Sequence, residues 1–256
     1  MCHPEVPAGA PIPDVRVEDA AIPVEDGTLP GLMALPERRS APAILIINDV
    51  FGRSPFYDQL ARRIAQAGFV AVTPEYFFRE GSLPEPTREA AMSRAKQLDF
   101  KRWGRDMSAA IDWLRARPEV SGVVGTIGFC MGGTQALLIA ARRHDIAATV
   151  SYYGFPADAR TEASPIELAA KMRGPILGHW GDQDAGAGMD NVEKLRATLE
   201  EARVEHEFHI YAGLGHGFLK ASLEDEKTPG YAQACASWTR TLDFYRRCFA
   251  REKVPS

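Results

Sequence analysis

The chain has 256 residues, of which 45% are hydrophobic and 25% charged, and it carries a formal net charge of −4. That length suffices for a substantial buried core, and the acidic balance gives no general attraction to nucleic acid or to an anionic membrane. No run of about 18 apolar residues occurs, so no transmembrane helix is expected, and the start MCHPEVPAGA lacks the basic and apolar regions of a secretory signal. The cysteines, Cys2, Cys130, Cys235 and Cys248, are scattered without C-x-x-C spacing, which fits a reducing cytoplasm.

Residues 1–13 are rich in proline and alanine and read as a flexible N-terminal arm, leaving 14–256 as one domain. Val15–Ile22 and Gly31–Leu35 read as short strands around the turn-forming Glu25-Asp26-Gly27. Ala43–Asn48 is a continuous apolar run, the pattern of a strand buried on both faces. A helix is predicted over Phe56–Gln66 and a strand over Phe69–Thr73. A polar loop, Arg79–Pro86, separates these from helical patterns at Thr87–Leu98 and Arg102–Arg117. Strands are predicted at Val123–Ile127, Ala147–Tyr152, Pro175–Trp180 and Glu205–Tyr211. Helices are predicted at Thr134–Ala141, Asp190–Ala202 and Thr228–Phe249. Strands alternating with helices, with neither a repeat nor a linker, predict a mostly parallel sheet covered on both faces.

The most informative stretch is GFCMGG at Gly128–Gly133. A predicted strand enters it and a predicted helix leaves it, the context of a nucleophile elbow, G-x-S-x-G, with Cys130 in the serine's place. The sharp turn strains the nucleophile's backbone and leaves no room for side chains at 128 and 132. The following helix sets unpaired backbone N–H groups and a partial positive charge beside the thiol, which favours thiolate. A cysteine is ordinarily a small buried hydrophobe; the strand–turn–helix setting argues otherwise here.

A nucleophilic thiol needs a base, and the base needs an orienting partner. Of six histidines, His3 lies in the arm and His144 at a helix end. His179, His206 and His209 fall within predicted strands, where a core hydrogen bond or strand alternation accounts for them. His216 differs, because it sits in the Gly-rich loop Ala212–Phe218 directly after a strand. The acid belongs between nucleophile and base, after the preceding strand, and both Asp182 and Asp184 of Gly181-Asp182-Gln183-Asp184 meet that requirement.

With these residues in place, the chain resembles the dienelactone hydrolase (carboxymethylenebutenolidase) family of the α/β-hydrolase superfamily along nearly its whole length after the arm. The family's elbow, G-x-C-x-G-G, is matched by GFCMGG; its acid closes a G-x-x-D loop, which selects Asp184; its base lies in G-H-x-F, matched by Gly215–Phe218. The resemblance implies a single-domain α/β-hydrolase fold and a Cys130–Asp184–His216 triad. It also implies an oxyanion hole from the backbone amides of Met131 and Val50, the latter in the early turn Asn48–Gly52. It implies a small cyclic enol ester bearing a carboxylate as substrate, with Arg88 and Lys220 at the positions of two basic residues that hold that carboxylate.

Two positions depart from the family pattern. Lys220 stands where an arginine is usual and offers a point charge in place of a bidentate fork. Asp49 stands where the family has a glutamate that takes part in thiol activation, and it is shorter by one methylene, about 1.5 Å. Either carboxylate-binding residue also reads as an ordinary surface charge, and Asp49 as a cap on its own turn. Phe51, Tyr76, Phe77, Tyr152, Tyr153 and Phe218 read either as a lining for a planar ring or as core.

The expected function is therefore opening of an enol lactone through a thioester. The alternatives are a broad carboxylesterase or lactonase with the same triad and, in another class, a thiol-sensing or binding protein on this fold. No H-x-H, H-E-x-x-H or paired-cysteine spacing appears, so no metal and no cofactor is expected. Expected partners are a small lactone or ester, neither nucleic acid nor membrane, and at most a weak self-association alongside the monomer.

Overall fold

The computed structural model describes residues 10–160 and 163–252. Residues 1–9 of the predicted arm lie outside the described residues. Residues 10–13 have no regular structure, and the Pro11 carbonyl accepts a hydrogen bond of 2.6 Å from Gln59 Nε2.

Eight strands form one sheet: β1 (Arg16–Val24), β2 (Gly27–Leu35), β3 (Ala41–Ile47), β4 (Val70–Pro74), β5 (Val120–Phe129), β6 (Thr149–Tyr152), β7 (Ile176–Gly181) and β8 (His206–Tyr211). Their spatial order is β1-β2-β4-β3-β5-β6-β7-β8. From β4 to β8 every neighbouring pair is parallel, while β2 runs antiparallel to both β1 and β4. This is the mostly parallel α/β architecture expected. The first hairpin is longer than its sequence pattern suggests, because pairing continues without a break from Arg16↔Leu35 to Val24↔Gly27.

Among the described residues six α-helices lie between these strands, α1 (Pro55–Gln66), α2 (Arg88–Ala95), α3 (Phe100–Arg115), α4 (Met131–Arg142), α5 (Pro165–Leu168) and α6 (Met189–Glu201), and α7 (Tyr231–Arg251) follows the last strand. From β3 the chain steps one way to β4, then doubles back past β3 to β5 and continues outward. Right-handed crossovers then require α1 on one face of the sheet and α3, α4 and α6 on the other. Side chains agree: Arg63 of α1 lies over the Trp238 ring of α7, and Arg143 just after α4 bonds Asp112 of α3 at 2.6 Å.

Burial follows position. β3 has Ile44 through Ile47 fully buried, as a central strand covered on both faces requires. α4 buries every residue from Met131 to Ala141, so it is apolar all round. α7 meets the sheet at Gly125, where an added Cβ would lie 2.9 Å from Phe249 and 3.0 Å from Tyr245. Reversal of strand order between β4 and β5 puts the topological switch point at the carboxyl ends of β3 and β5, the position where open parallel sheets bind ligands. Among the described residues no helix is long and apolar enough to cross a membrane.

Candidate active site

Cys130 stands between β5 and α4 with φ 57° and ψ −121°. A non-glycine residue in that region is strained, and the strain persists only where surroundings fix it. Its amide donates to the Tyr152 carbonyl (3.0 Å) and its carbonyl accepts from the Thr134 amide (3.2 Å). Two glycines make the turn sterically possible. A Cβ at 128 would fall 2.0 Å from the Gly132 carbonyl oxygen, and one at 132 would fall 2.2 Å from the carbonyl oxygens of both Ile47 and Asn48. The elbow is thus pressed against the end of β3. Cys130 is 6% exposed, and the amide of Met131 opens the N-terminal turn of α4 behind it.

His216 follows β8 in the loop predicted for it. Its Nδ1 lies 2.7 Å from Asp184 Oδ2, while Asp184 Oδ1 accepts from the amides of Gly186 (3.0 Å) and Ala187 (3.1 Å). Burial works to raise the Asp184 carboxyl; the bond and charge of His216 together with the two amides outweigh it, and the group titrates below the usual aspartate range. Asp182 has a different part. It is exposed, and its Oδ1 accepts from the Gly213 amide at 2.8 Å, tying the acid loop to the base loop.

The thiol and the imidazole share one short segment after β6. Cys130 hangs on the Tyr152 carbonyl, the Tyr153 ring lies 4.9 Å from the His216 ring, and Phe155 stacks on it at 5.3 Å with planes 11° apart. Phe155 is itself fixed by Thr134 Oγ1, which accepts its amide at 2.8 Å. Nothing in the sequence signals Phe155, because its stacking depends on loops that meet only in the fold.

The early turn is also well ordered. Asp49 is fully buried, and its Oδ1 accepts the Phe51 amide at 2.8 Å, so it does cap its own turn. Its amide donates to Tyr57 Oη (3.1 Å), and Tyr76 Oη donates toward the carbonyls of Asn48 (3.0 Å) and Asp49 (2.6 Å). Val50, at the centre of this turn, is buried. The two basic residues are less committed. Arg88 is exposed at the first position of α2, and Lys220 Nζ lies 3.8 Å from Glu224 Oε1. Tyr76, Phe77, Tyr152 and Tyr153 are core residues at 2% exposure or less. His179 likewise satisfies a core network, with Nδ1 2.9 Å from Tyr211 Oη and Nε2 3.1 Å from Thr241 Oγ1. A cavity of about 820 Å³ lined by Trp103, Gln135 and Arg143 opens between α3 and α4, and no residue of the Cys130, Asp184 and His216 set lines it.

A strained strand-to-helix turn after β5, an acid after β7 and a histidine after β8, on a sheet of this order, define an α/β-hydrolase. The model of the dienelactone hydrolase family matches residues 29–249, and the chain belongs to that family. It is 34% identical over 251 residues to a carboxymethylenebutenolidase of Rhodococcus opacus, covering 96% of this chain and 97% of that protein. It is 30% identical over 210 residues to a candidate 2-oxo-3-(5-oxofuran-2-ylidene)propanoate lactonase of Bradyrhizobium sp, covering 80% of this chain and 83% of that one. Among solved structures it is similar to a candidate dienelactone hydrolase from Klebsiella pneumoniae subsp. pneumoniae MGH 78578. The TM-score is 0.82 at 25% identity, over 93% of this chain and 99% of that one. The chain is accordingly a hydrolase of ester or lactone bonds.

Proposed function

We propose that the protein opens carboxylated enol lactones, of the 4-carboxymethylenebut-2-en-4-olide class, with Cys130 as nucleophile and a thioester intermediate. The observation that carries this is the strained Cys130 turn, tied through residues 152–155 to a histidine whose Nδ1 meets a carboxylate at 2.7 Å. In this reading the Cys130 thiolate attacks the lactone carbonyl carbon. The Met131 and Val50 amides stabilise the oxyanion. That attack forms the C–S bond; collapse of the tetrahedral intermediate restores the carbonyl and breaks the ring C–O bond, and the ring oxygen leaves as an enolate that takes a proton from solvent on carbon to give the ketone. His216 then takes a proton from water at Nε2, hydroxide attacks the thioester, and Cys130 leaves as thiolate, with Asp184 holding the imidazole's tautomer and charge. Thiolate suits this substrate because the enolate competes well with it as a leaving group. Asp49, buried in the adjacent turn, is the group we assign to thiol activation, and Arg88 and Lys220 to the substrate carboxylate. The relatives' names, a carboxymethylenebutenolidase and a candidate oxofuran lactonase, describe unsaturated lactones of this kind. A mechanism that relies on a free Cys130 thiol suits a reducing, cytoplasmic setting.

The Lys220–Glu224 contact favours a second reading, a broad esterase or lactonase, since a lysine already facing a carboxylate has less to offer a substrate carboxylate. Following the ultraviolet absorbance of a dienelactone mixed with enzyme separates the two. Saturable decay that Cys130→Ala abolishes is the expected result; faster turnover of neutral aryl esters would favour the second reading, and near-normal turnover by Cys130→Ala would remove the mechanism.

A further inference from the structure

The 48–52 turn is gripped from outside by a residue with no part in the chemistry above. Arg94 Nη2 donates to the Phe51 carbonyl at 2.8 Å, and Nη1 donates to the Gly81 carbonyl at 3.0 Å. The guanidinium lies over the Phe77 ring, 3.9 Å from its centroid, and the residue is only 8% exposed. Burial pulls its pKa down, while Glu75, Tyr76, Glu80 and Asp49 act to hold its charge. Glu75 packs in the same place, with Oε1 accepting the Phe77 amide at 3.2 Å. Gly52, at φ +74°, closes the cluster: a Cβ there would lie 2.9 Å from Glu75 Oε1, 3.0 Å from Phe77 Cδ2 and 3.2 Å from Arg94 Nη2.

Three segments distant in sequence therefore meet on one side chain: the turn after β3, the 79–86 loop and α2. The eight-residue α2 has little else to hold it, because its other buried residues are Ala91 and Ala95. A buried arginine is a poor choice for stability alone, since well-packed apolar side chains often serve as well. What it supplies is a planar fork that fixes two carbonyl groups at once.

We infer that Arg94 is a positioning residue: by clasping the Phe51 and Gly81 carbonyls it fixes the 48–52 turn, and with it the Val50 amide, relative to Cys130. The part concerning Val50 rests on the mechanism proposed above; the clasp does not. Arg94 also anchors the short helix whose first residue is the exposed Arg88.

The test uses full-length Arg94→Met and Arg94→Lys. Hydrogen exchange of a peptide spanning residues 48–56 reads the turn without reference to turnover. Lactone or aryl-ester kinetics read the oxyanion donor. Alkylation by iodoacetamide reads the thiol alone, because sulfur displaces iodide at a saturated carbon and no oxyanion forms. In Arg94→Met, exchange should quicken about tenfold or more and kcat should fall about 10- to 100-fold, while KM stays within about 3-fold; alkylation, which feels only the displacement of Asp49 in the same turn, should fall several-fold less than kcat. Lysine, which reaches only one carbonyl, should fall between; it also stands in should the methionine variant not fold. Wild-type exchange and kcat in a folded variant would overturn the inference, as would equal losses in kcat and alkylation. If the wild type opens no lactone while exchange still quickens, the clasp stands and the lactone reading falls.

Discussion

Asp184 Oδ2 and His216 Nδ1 face each other at 2.7 Å, with the carboxylate's other oxygen held by two backbone amides. That arrangement favours the tautomer with Nδ1–H pointing at the carboxylate, which in the mechanism proposed above makes Nε2 the atom that takes the proton from water. Asp184→Asn would offer an N–H where the ring needs an acceptor, reversing the tautomer. Turnover at pH 7 should drop roughly 10³- to 10⁴-fold with little change in KM. Asp184 titrates lower in the folded chain than unfolded, so its stabilising effect is complete above the ordinary aspartate range and is lost as pH falls through the folded value. Urea unfolding of Asp184→Asn between pH 5 and pH 2 should accordingly be less steep in pH than that of the wild type.

The elbow and the base loop both contain glycines, but their packing separates them. Gly132→Ala would drive a Cβ to 2.2 Å from two carbonyl oxygens of the β3 end, and neither side of that contact is a side chain that can rotate away. We expect a loss of about 3 kcal/mol or more, which in a chain of this size lowers the melting temperature by about 6 to 12 °C. Gly215, next to His216, has nothing within 4 Å of its hypothetical Cβ. Gly215→Ala should therefore melt within about 2 °C of the wild type and keep its kcat within about 2-fold. Equal damage from both substitutions would contradict this account of the elbow.

Lys220 and Arg88 make opposite predictions in substrate binding. Lys220 Nζ has Glu224 Oε1 at 3.8 Å, a half-exposed pair of the kind that contributes at most about 1 kcal/mol to stability. Glu224→Gln would release that charge toward the site, lowering KM for a carboxylated lactone up to about 5-fold with no matching change for a neutral ester. Arg88→Ala would remove a charged hydrogen-bond donor and raise KM for the same lactone about 10-fold or more. Parallel kinetics on a carboxylated lactone and its methyl ester measure both. If Arg88→Ala affects the two substrates alike, Arg88 is not the carboxylate's partner.

The parts of this site visible in the sequence are those fixed by local backbone geometry. GFCMGG announces an elbow because the steric demand of that turn falls on residues adjacent in the chain; that Gly132 also meets the end of β3 emerges only in the fold. The loops after β7 and β8 are legible for a related reason: a strand's end marks where a catalytic side chain can be presented. Choosing Asp184 over Asp182 needed the family pattern, since both occupy one exposed-looking loop, and only the folded chain separates a 2.7 Å bond to His216 from a bond to the Gly213 amide. Arg94 and Phe155 could not be read at all. Arg94 lies on a short helix of mixed composition, and its partners at Phe51 and Gly81 are main-chain carbonyls, which leave no trace in side-chain pattern. The two-residue turn at Glu25-Asp26 lets β2 begin at Gly27, earlier than the apolar pattern starting at Gly31, because Gly27 through Pro30 pair with β1 without forming a continuous apolar run.

Behind the site, His179 links β7 to α7 and β8 through Thr241 Oγ1 and Tyr211 Oη, with Thr241 Oγ1 in turn 2.8 Å from Tyr152 Oη. Full burial holds the ring neutral, and the nearby His209 and Arg240 add to that, so its pKa lies well below the ordinary 6.5. A histidine that folds in its neutral form stabilises the protein above the unfolded pKa and withdraws that stability as pH falls below it. Unfolding free energy should therefore decline as pH drops from about 6.5 toward 5. His179→Gln cannot titrate and can replace only one of the two hydrogen bonds. It should be less stable than wild type at pH 8 by about 1 to 3 kcal/mol, yet lose less of its remaining stability over the same pH interval. Denaturant titrations of both proteins at matched pH values decide the matter: a His179→Gln slope as steep as the wild type's would mean that another group governs the acid sensitivity of this core.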